Sequence, residues 1–223
     1  NTRQVAAVEE VSPEVVAAQI DAVFKDIGVD AVKIGMLSST RIVRAVAERL
    51  QVHRPPAVVL DPVMIAKSGT ALLADDAVSA LREELLPLAT LVTPNLPEAE
   101  LLTGLAVDTV PQRLAAARCL EQSGPAVLIK GGHGDGAEVV DILFDGEGFE
   151  RFRHPRIDTS STHGTGCTLS SAIAALLGAG EPLNSAVSSA IEYLQGAIVA
   201  AFPLGAGHGP VNHFYRWSAA DQE

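Results

Sequence analysis

The sequence predicts an α/β fold, a three-layer αβα sandwich built around a mostly parallel sheet. Three observations carry this. Short apolar runs at 31–34 (broken only by Lys33), 57–60, 91–92 and 126–129 alternate with segments of helical periodicity, the pattern of strands buried on both faces. Each run stops at a turn or at glycine, proline or a charged residue. Only one segment, 139–144 followed by 149–152 across Asp145-Gly146-Glu147-Gly148, reads as a β-hairpin.

The first element is a helix over 15–27, introduced by Ser12-Pro13-Glu14 and stopped at Gly28. The run 31–34 ends at Gly35-Met36. A helix over 40–50 follows, with Ile42, Val43, Val46, Ala47 and Leu50 on one face. The run 57–60 ends at Asp61-Pro62, and a loop through Lys67-Ser68-Gly69 leads to a helix over 75–86. Leu91-Val92 ends at Thr93-Pro94-Asn95, after which 97–102 is a short helix closed by Gly104 and 111–122 another. The run 126–129 ends at Lys130-Gly131-Gly132. Beyond the hairpin, two apolar helices over 167–177 and 184–201 lead to a Gly/His/Pro tail at 205–210.

With 223 residues, 48% of them hydrophobic, and no linker or low-complexity stretch, residues 1–223 read as one domain. An α/β domain usually opens with a strand, yet this chain opens on a helix and without methionine. Residues upstream of Asn1 are therefore expected. A net charge of −11 disfavours a nucleic-acid or anionic-membrane surface. No apolar run approaches the roughly 20 residues of a membrane span. Two cysteines, Cys119 and Cys167, make no disulfide framework and point to the cytoplasm.

The chemistry concentrates in Thr162-His163-Gly164-Thr165-Gly166-Cys167-Thr168, where a Gly-Thr-Gly turn opens into an apolar helix. Free N–H groups, the positive end of the helix dipole and two residues without Cβ make this an anion site. Gly35-Met36, Asp61-Pro62, Asn95-x-x-Glu98 and Lys130-Gly131-Gly132 each follow the carboxyl end of a strand, so a parallel sheet brings them to one edge. Two carboxylates, an amide, a lysine and a glycine-rich helix start suit phosphoryl transfer, with Mg²⁺ held through oxygen. Plainer readings stand beside these: Asp61 as a strand-ending turn, Glu98 as a first-turn carboxylate, Lys130 as a solvated strand end and Cys167 as a small buried hydrophobe. A helix start favours a thiolate, which admits Cys167 as a proton acceptor or close substrate contact. His163 reads as a loop residue, and the histidines and cysteines lack zinc spacing. There is no G-x-x-x-x-G-K-[ST], and the Gly164 turn lacks the third glycine of a dinucleotide motif.

Five segments carry a family resemblance: Val32-Lys33-Ile34-Gly35-Met36-Leu37, Leu60-Asp61-Pro62-Val63-Met64-Ile65-Ala66-Lys67-Ser68-Gly69, Thr93-Pro94-Asn95-Leu96-Pro97-Glu98-Ala99-Glu100, Lys130-Gly131-Gly132-His133 and the Thr162–Thr168 motif. From Asn1 to about Tyr215 the chain closely resembles the hydroxymethylpyrimidine/phosphomethylpyrimidine kinases of thiamine biosynthesis, in the ribokinase-like superfamily. The cysteine at 167, where many ribokinase relatives carry aspartate, points towards the pyrimidine and pyridoxal kinases. The resemblance implies two ATP-dependent phosphorylations, of 4-amino-5-hydroxymethyl-2-methylpyrimidine and then of its monophosphate. It implies that Gly164, Thr165, Gly166 and Cys167 form the anion hole, and that Lys130, Asn95 and Thr162 serve ATP. It puts Asp61 and Glu98 in the Mg²⁺ region, Gly35, Met36, Val63 and Cys167 at the pyrimidine, and Lys67 on a flap. A cytoplasmic homodimer is implied too. Family members open with a Gly-Ser-Asp segment and a glutamine upstream of the Asn-Thr pair that begins this sequence. Two alternatives share these motifs: a pyridoxine or pyridoxal kinase, and a non-catalytic pyrimidine-binding regulatory protein.

Overall fold

Alternate residues of each strand face opposite sides of one sheet, and two separate apolar clusters form on those sides. The computed structural model describes residues 1–64 and 75–218. The strands are β1 (Val32–Ile34), β2 (Val58–Leu60), β3 (Leu91–Val92), β4 (Ala126–Ile129), β5 (Glu138–Phe144) and β6 (Phe149–Pro155). They lie in the order β1-β2-β3-β4-β5-β6. The first four are parallel; β5 runs antiparallel to β4, and β6 to β5. The expected α/β sandwich is therefore present, and the hairpin forms its antiparallel side.

Because every parallel crossover steps in the same direction, the right-handed rule puts all the crossover helices on one face. These are α2 (Thr40–His53), α3 (Asp75–Ala80), α4 (Leu96–Thr103) and α5 (Val110–Glu121). They pack on Ile34, Val58, Leu60, Val92, Val127 and Ile129. The opposite face, with Val59, Leu91, Leu128 and Leu143, is covered by α6 (Thr165–Gly178) and α7 (Leu183–Val199). An outer helix, α1 (Pro13–Asp26), lies against α2 through Asp21 and the stacked rings of Phe24 and His53. A short α8 (Tyr215–Ser218) closes the described residues.

The start signals read from the sequence act as caps. The Ser12 hydroxyl accepts the Val15 N–H at 3.3 Å, and reciprocal capping boxes tie Asn95 to Glu98 and Thr109 to Gln112. The helix expected over 75–86 is α only to Ala80. A π turn (Leu81–Leu85) and a 3₁₀ turn (Leu86–Leu88) follow. Pro87 has no N–H for the carbonyl four residues back and its ring crowds that carbonyl, so α geometry cannot run through it. β6 extends three residues past the expected strand, and α6 begins two residues earlier than expected, at Thr165. The loop through Lys67, with the expected flap, lies outside the described residues.

Candidate active site

The edge where β1 to β4 end collects the polar groups. β3–β4 pairing continues one step beyond the strands, through a bridge between Asn95 and Lys130 and the Lys130 N–H to the Pro94 carbonyl at 2.9 Å. Lys130 turns its side chain along the edge to Asp61, Nζ to Oδ1 2.6 Å, with the two side chains only 12% and 2% exposed. The hydroxyl of Thr93 reaches the same Oδ1 at 3.3 Å, and that of Ser170 on α6 reaches Oδ2 at 3.3 Å. Asp61 Oδ1 is thus engaged twice, while its Oδ2 shares the single Ser170 proton with the carbonyls of Gly166 and Cys167, at 3.0 and 3.2 Å.

The α6 N-terminus comes in from the other face. Gly164 caps it with φ +79°, a left-handed conformation that glycine adopts without strain. A Cβ added at Gly166 would lie 3.2 Å from Lys130 Nζ and 3.8 Å from Asp61 Oδ2. Glycine here lets the first turn of the helix settle onto the Lys130–Asp61 pair. The open N–H groups of that turn and the ammonium therefore share one small region of positive potential.

Glu98, buried at 3% exposure, faces the same region. Its Oε2 accepts the Asn95 N–H at 2.8 Å, while Asn95 Oδ1 accepts the Glu98 N–H at 2.9 Å. Burial pushes the Glu98 carboxyl up to about 7, against the pull of Lys130 and the N–H groups of Asn95 and Met64. Burial alone would drive the Lys130 ammonium towards neutrality; Asp61 and Glu98 more than offset it, so its pKa is raised and the lysine is charged. The two carboxylates and one ammonium form a coupled triad, with one proton on Glu98 within reach of neutral pH.

The remaining expected residues are less gathered. Cys167 is exposed on the first turn of α6. Thr165 bonds back to the Thr162 carbonyl at 3.2 Å, and Thr162 Oγ1 lies 3.4 Å from His208 Nδ1. His208 is in turn fixed by its N–H to the Thr2 carbonyl, 2.9 Å. Exposed His163 gives its N–H to the Gly209 carbonyl at 2.9 Å, the main-chain role expected of it. Gly35 and Met36 follow β1 and Val63 follows β2, farther along the edge, with the Met36 side chain exposed. Lys67 lies outside the described residues. A cavity of about 590 Å³ opens beside α6, lined by Gly164, Cys167 and Thr168 and, beyond them, Tyr193, His213 and Arg216. Its lining excludes Lys130 and Asp61, so it meets the triad's region only at the Gly164–Cys167 turn.

Thr93 and Ser170 carry no assigned role in the sequence reading, yet both reach Asp61. Ser170 stands four residues after Gly166, one helical turn, and that spacing was the available signal. Asp141 and Arg156 were also unmarked, and both brace the glycine loop after Lys130. Asp141 Oδ1 accepts the Gly131 N–H at 2.7 Å. Arg156 donates to the carbonyls of Gly132, Gly134 and Gly136 at 2.9, 2.6 and 2.8 Å.

Known proteins share this arrangement of chain. The family model described as phosphomethylpyrimidine kinase matches residues 1–212. A hydroxymethylpyrimidine/phosphomethylpyrimidine kinase of Rhizobium meliloti is 54% identical over 221 residues, covering 97% of this chain and 83% of that protein. The solved phosphomethylpyrimidine kinase of Clostridium difficile is 42% identical with a TM-score of 0.79, over 89% of this chain and 81% of that one. A pyridoxal kinase of Bacillus subtilis, solved with ADP, is 36% identical with a TM-score of 0.87, over 95% and 80%. Such agreement across the fold and nearly the whole sequence has one meaning: the chain belongs to the phosphomethylpyrimidine kinase family, with the ribokinase-like fold its motifs imply.

Proposed function

We propose that the protein transfers the γ-phosphoryl group of ATP to the hydroxymethyl oxygen of 4-amino-5-hydroxymethyl-2-methylpyrimidine and then phosphorylates the monophosphate to the diphosphate. The observation that carries the reaction type is the seating of Lys130, held by Asp61, against the Gly166 turn. An ammonium and a helix start aimed at one point stabilise the charge of a transferring phosphoryl group. Membership of the family supports the substrate. As the acceptor oxygen bonds phosphorus, the bridging P–O bond to ADP breaks and ADP leaves with the electron pair. The hydroxyl proton must be taken up, and we assign Cys167, exposed at the mouth of the anion hole, to that contact.

The donor set fits Mg²⁺ in a particular way. Asp61 is committed to Lys130 and Thr93, whereas Glu98, held by the N–H groups of Asn95 and Met64, has no cation paired to it among the described residues and faces the same region. Glu98 would therefore hold the ion through water, with Asp61 behind it as the anchor of Lys130. That suits a cation that keeps several waters and takes its remaining ligands from phosphate. When bound, Mg²⁺ supplies charge neutralisation to the phosphates. Asn95 and Thr162 border the nucleotide phosphates in this reading, and Gly35, Met36 and Val63 the pyrimidine. The enzyme acts as a cytoplasmic homodimer, where its two free cysteines stay reduced. Among the described residues no helix is long and apolar enough to cross a membrane.

A second reading, pyridoxal kinase, draws on the likeness to the Bacillus subtilis structure. Phosphorus NMR of the protein with ATP, Mg²⁺ and each acceptor separates the two. The pyrimidine should pass to monophosphate and then diphosphate, with pyridoxal turned over at least about tenfold more slowly. Faster pyridoxal turnover would reverse the assignment, and pyrimidine binding without ADP release would select the non-catalytic alternative. Cys167→Ala should lower kcat about 10- to 100-fold while ATP affinity stays within about twofold, because the backbone amides of α6 survive the change. Unchanged kcat would return Cys167 to a packing role.

A further inference from the structure

Lys130 lies at the end of β4 with its N–H on the Pro94 carbonyl, and the next two residues are glycines, in a turn closed by the Gly134 N–H on the Gly131 carbonyl at 2.9 Å. A Cβ at Gly131 would strike the Val140 main chain, so that turn is packed backbone against backbone. Arg156 holds the later carbonyls of this loop, while the buried Asp141 carboxylate on β5, 4% exposed, holds its first amide: Oδ1 accepts the Gly131 N–H at 2.7 Å. Antiparallel pairing of Ile129 with Ile142 brings Asp141 to this place. The other oxygen, Oδ2, lies 3.2 Å from His154 Nε2 on β6. His154 Nδ1 lies 2.9 Å from the Gln195 amide nitrogen on α7. With that amide donating, Nδ1 accepts and Nε2–H points at Asp141, so the whole row is satisfied in one tautomer.

We propose that Asp141 is a positioning residue for phosphoryl transfer: through the Gly131 amide it sets where Lys130 leaves β4, and His154 and Gln195 hold it in register with α7. The row joins the glycine turn of β4 to the helix that packs beside α6, the element carrying Gly166. The Lys130 and Gly166 sides of the proposed anion site are thus tied to one hydrogen-bonded row. A shift of the Gly131 turn would move the ammonium away from the Gly166 turn while leaving the far edge of the sheet untouched. This inference rests on the role assigned to Lys130 above.

A double-mutant cycle in kcat tests it, using wild type, Asp141→Ala, Lys130→Ala and the double variant in the full chain. Asp141→Ala should lower kcat about tenfold or more with the pyrimidine KM within about twofold. In the Lys130→Ala background the same change should cost less than about twofold, because a residue that acts through Lys130 has nothing left to position. Asp141→Asn keeps an Oδ1 that accepts from Gly131 but sets its amide N–H against the His154 Nε2–H, so it should recover kcat to the deficit of about two- to fivefold expected from losing His154 alone and no further. His154→Ala, on the partly exposed β6, gives the same direction at about two- to fivefold should Asp141→Ala fold poorly. Equal penalties in both lysine backgrounds, or an Asp141→Asn as impaired as the alanine variant, would overturn the inference while leaving Lys130 in place. A fully active Lys130→Ala would overturn the Lys130 reading itself, and this inference with it.

Discussion

Lys130→Ala is expected to lower kcat about 10²- to 10³-fold, the loss typical of removing one preorganised group that stabilises transition-state charge. Two effects combine. The ammonium lies beside the Gly166 turn, and in the proposed mechanism its loss would leave the backbone amides alone to face the moving phosphoryl group. Its removal also strands Asp61, buried at 1% exposure, next to Glu98. Breaking one side of a buried ion pair costs roughly 3–5 kcal/mol of stability. The two effects can be separated with Lys130→Ala/Asp61→Asn, which removes the orphaned charge as well. Thermal unfolding of the double variant should return most of the way to wild type, while kcat stays at the level of the single variant. Pyrimidine KM should be unchanged in both. Recovery of turnover along with stability would mean that Lys130 serves the fold alone, and kcat within about threefold of wild type in the single variant would remove it from the chemistry.

Much of this site is legible in the sequence because a parallel sheet turns sequence order into spatial order. Asp61, Asn95 and Lys130 each close a short apolar run, and runs that pair in parallel end on one edge. The Gly-Thr-Gly turn is legible for a different reason, since only a helix start next to an apolar segment explains glycines at both flanks. What stays hidden depends on the antiparallel side of the sheet. Asp141 is a lone carboxylate in the apolar run of β5. That interruption hints at a buried partner, but the partner is the main-chain N–H of Gly131, ten residues away, and only the β4–β5 register reveals it. The pairing of Asp61 with Lys130 is hidden likewise. Both side chains are charged, both end strands, and nothing in their spacing says which way the lysine folds. The π turn before Pro87 is a local matter that helical periodicity smooths over.

Glu98→Gln is expected to make the nucleotide-free protein more stable at pH 8 while impairing turnover. The folded protein holds the Glu98 carboxyl at about 7, above its ordinary value of 4.5, because burial penalises the charge more than Lys130 and the hydrogen bonds favour it. Below pH 4.5 the group is neutral in both folded and unfolded chains. Between there and pH 7 the folded state keeps a proton that the unfolded state has lost, so stability falls as pH rises and the loss is complete above pH 7. The difference is roughly 3 kcal/mol at pH 8. Glutamine is nearly isosteric, cannot ionise, and its Oε1 can still accept the Asn95 N–H that completes the cap. The variant should therefore unfold several degrees higher than wild type at pH 8. The gap should narrow through pH 6 and close by about pH 4.5 to 5. Paired melting curves across this range, without nucleotide or metal, measure it directly. Parallel curves would show that Glu98 ionises without penalty, and would withdraw the picture of a carboxylate kept charged against its surroundings for the sake of the cation it is proposed to hold.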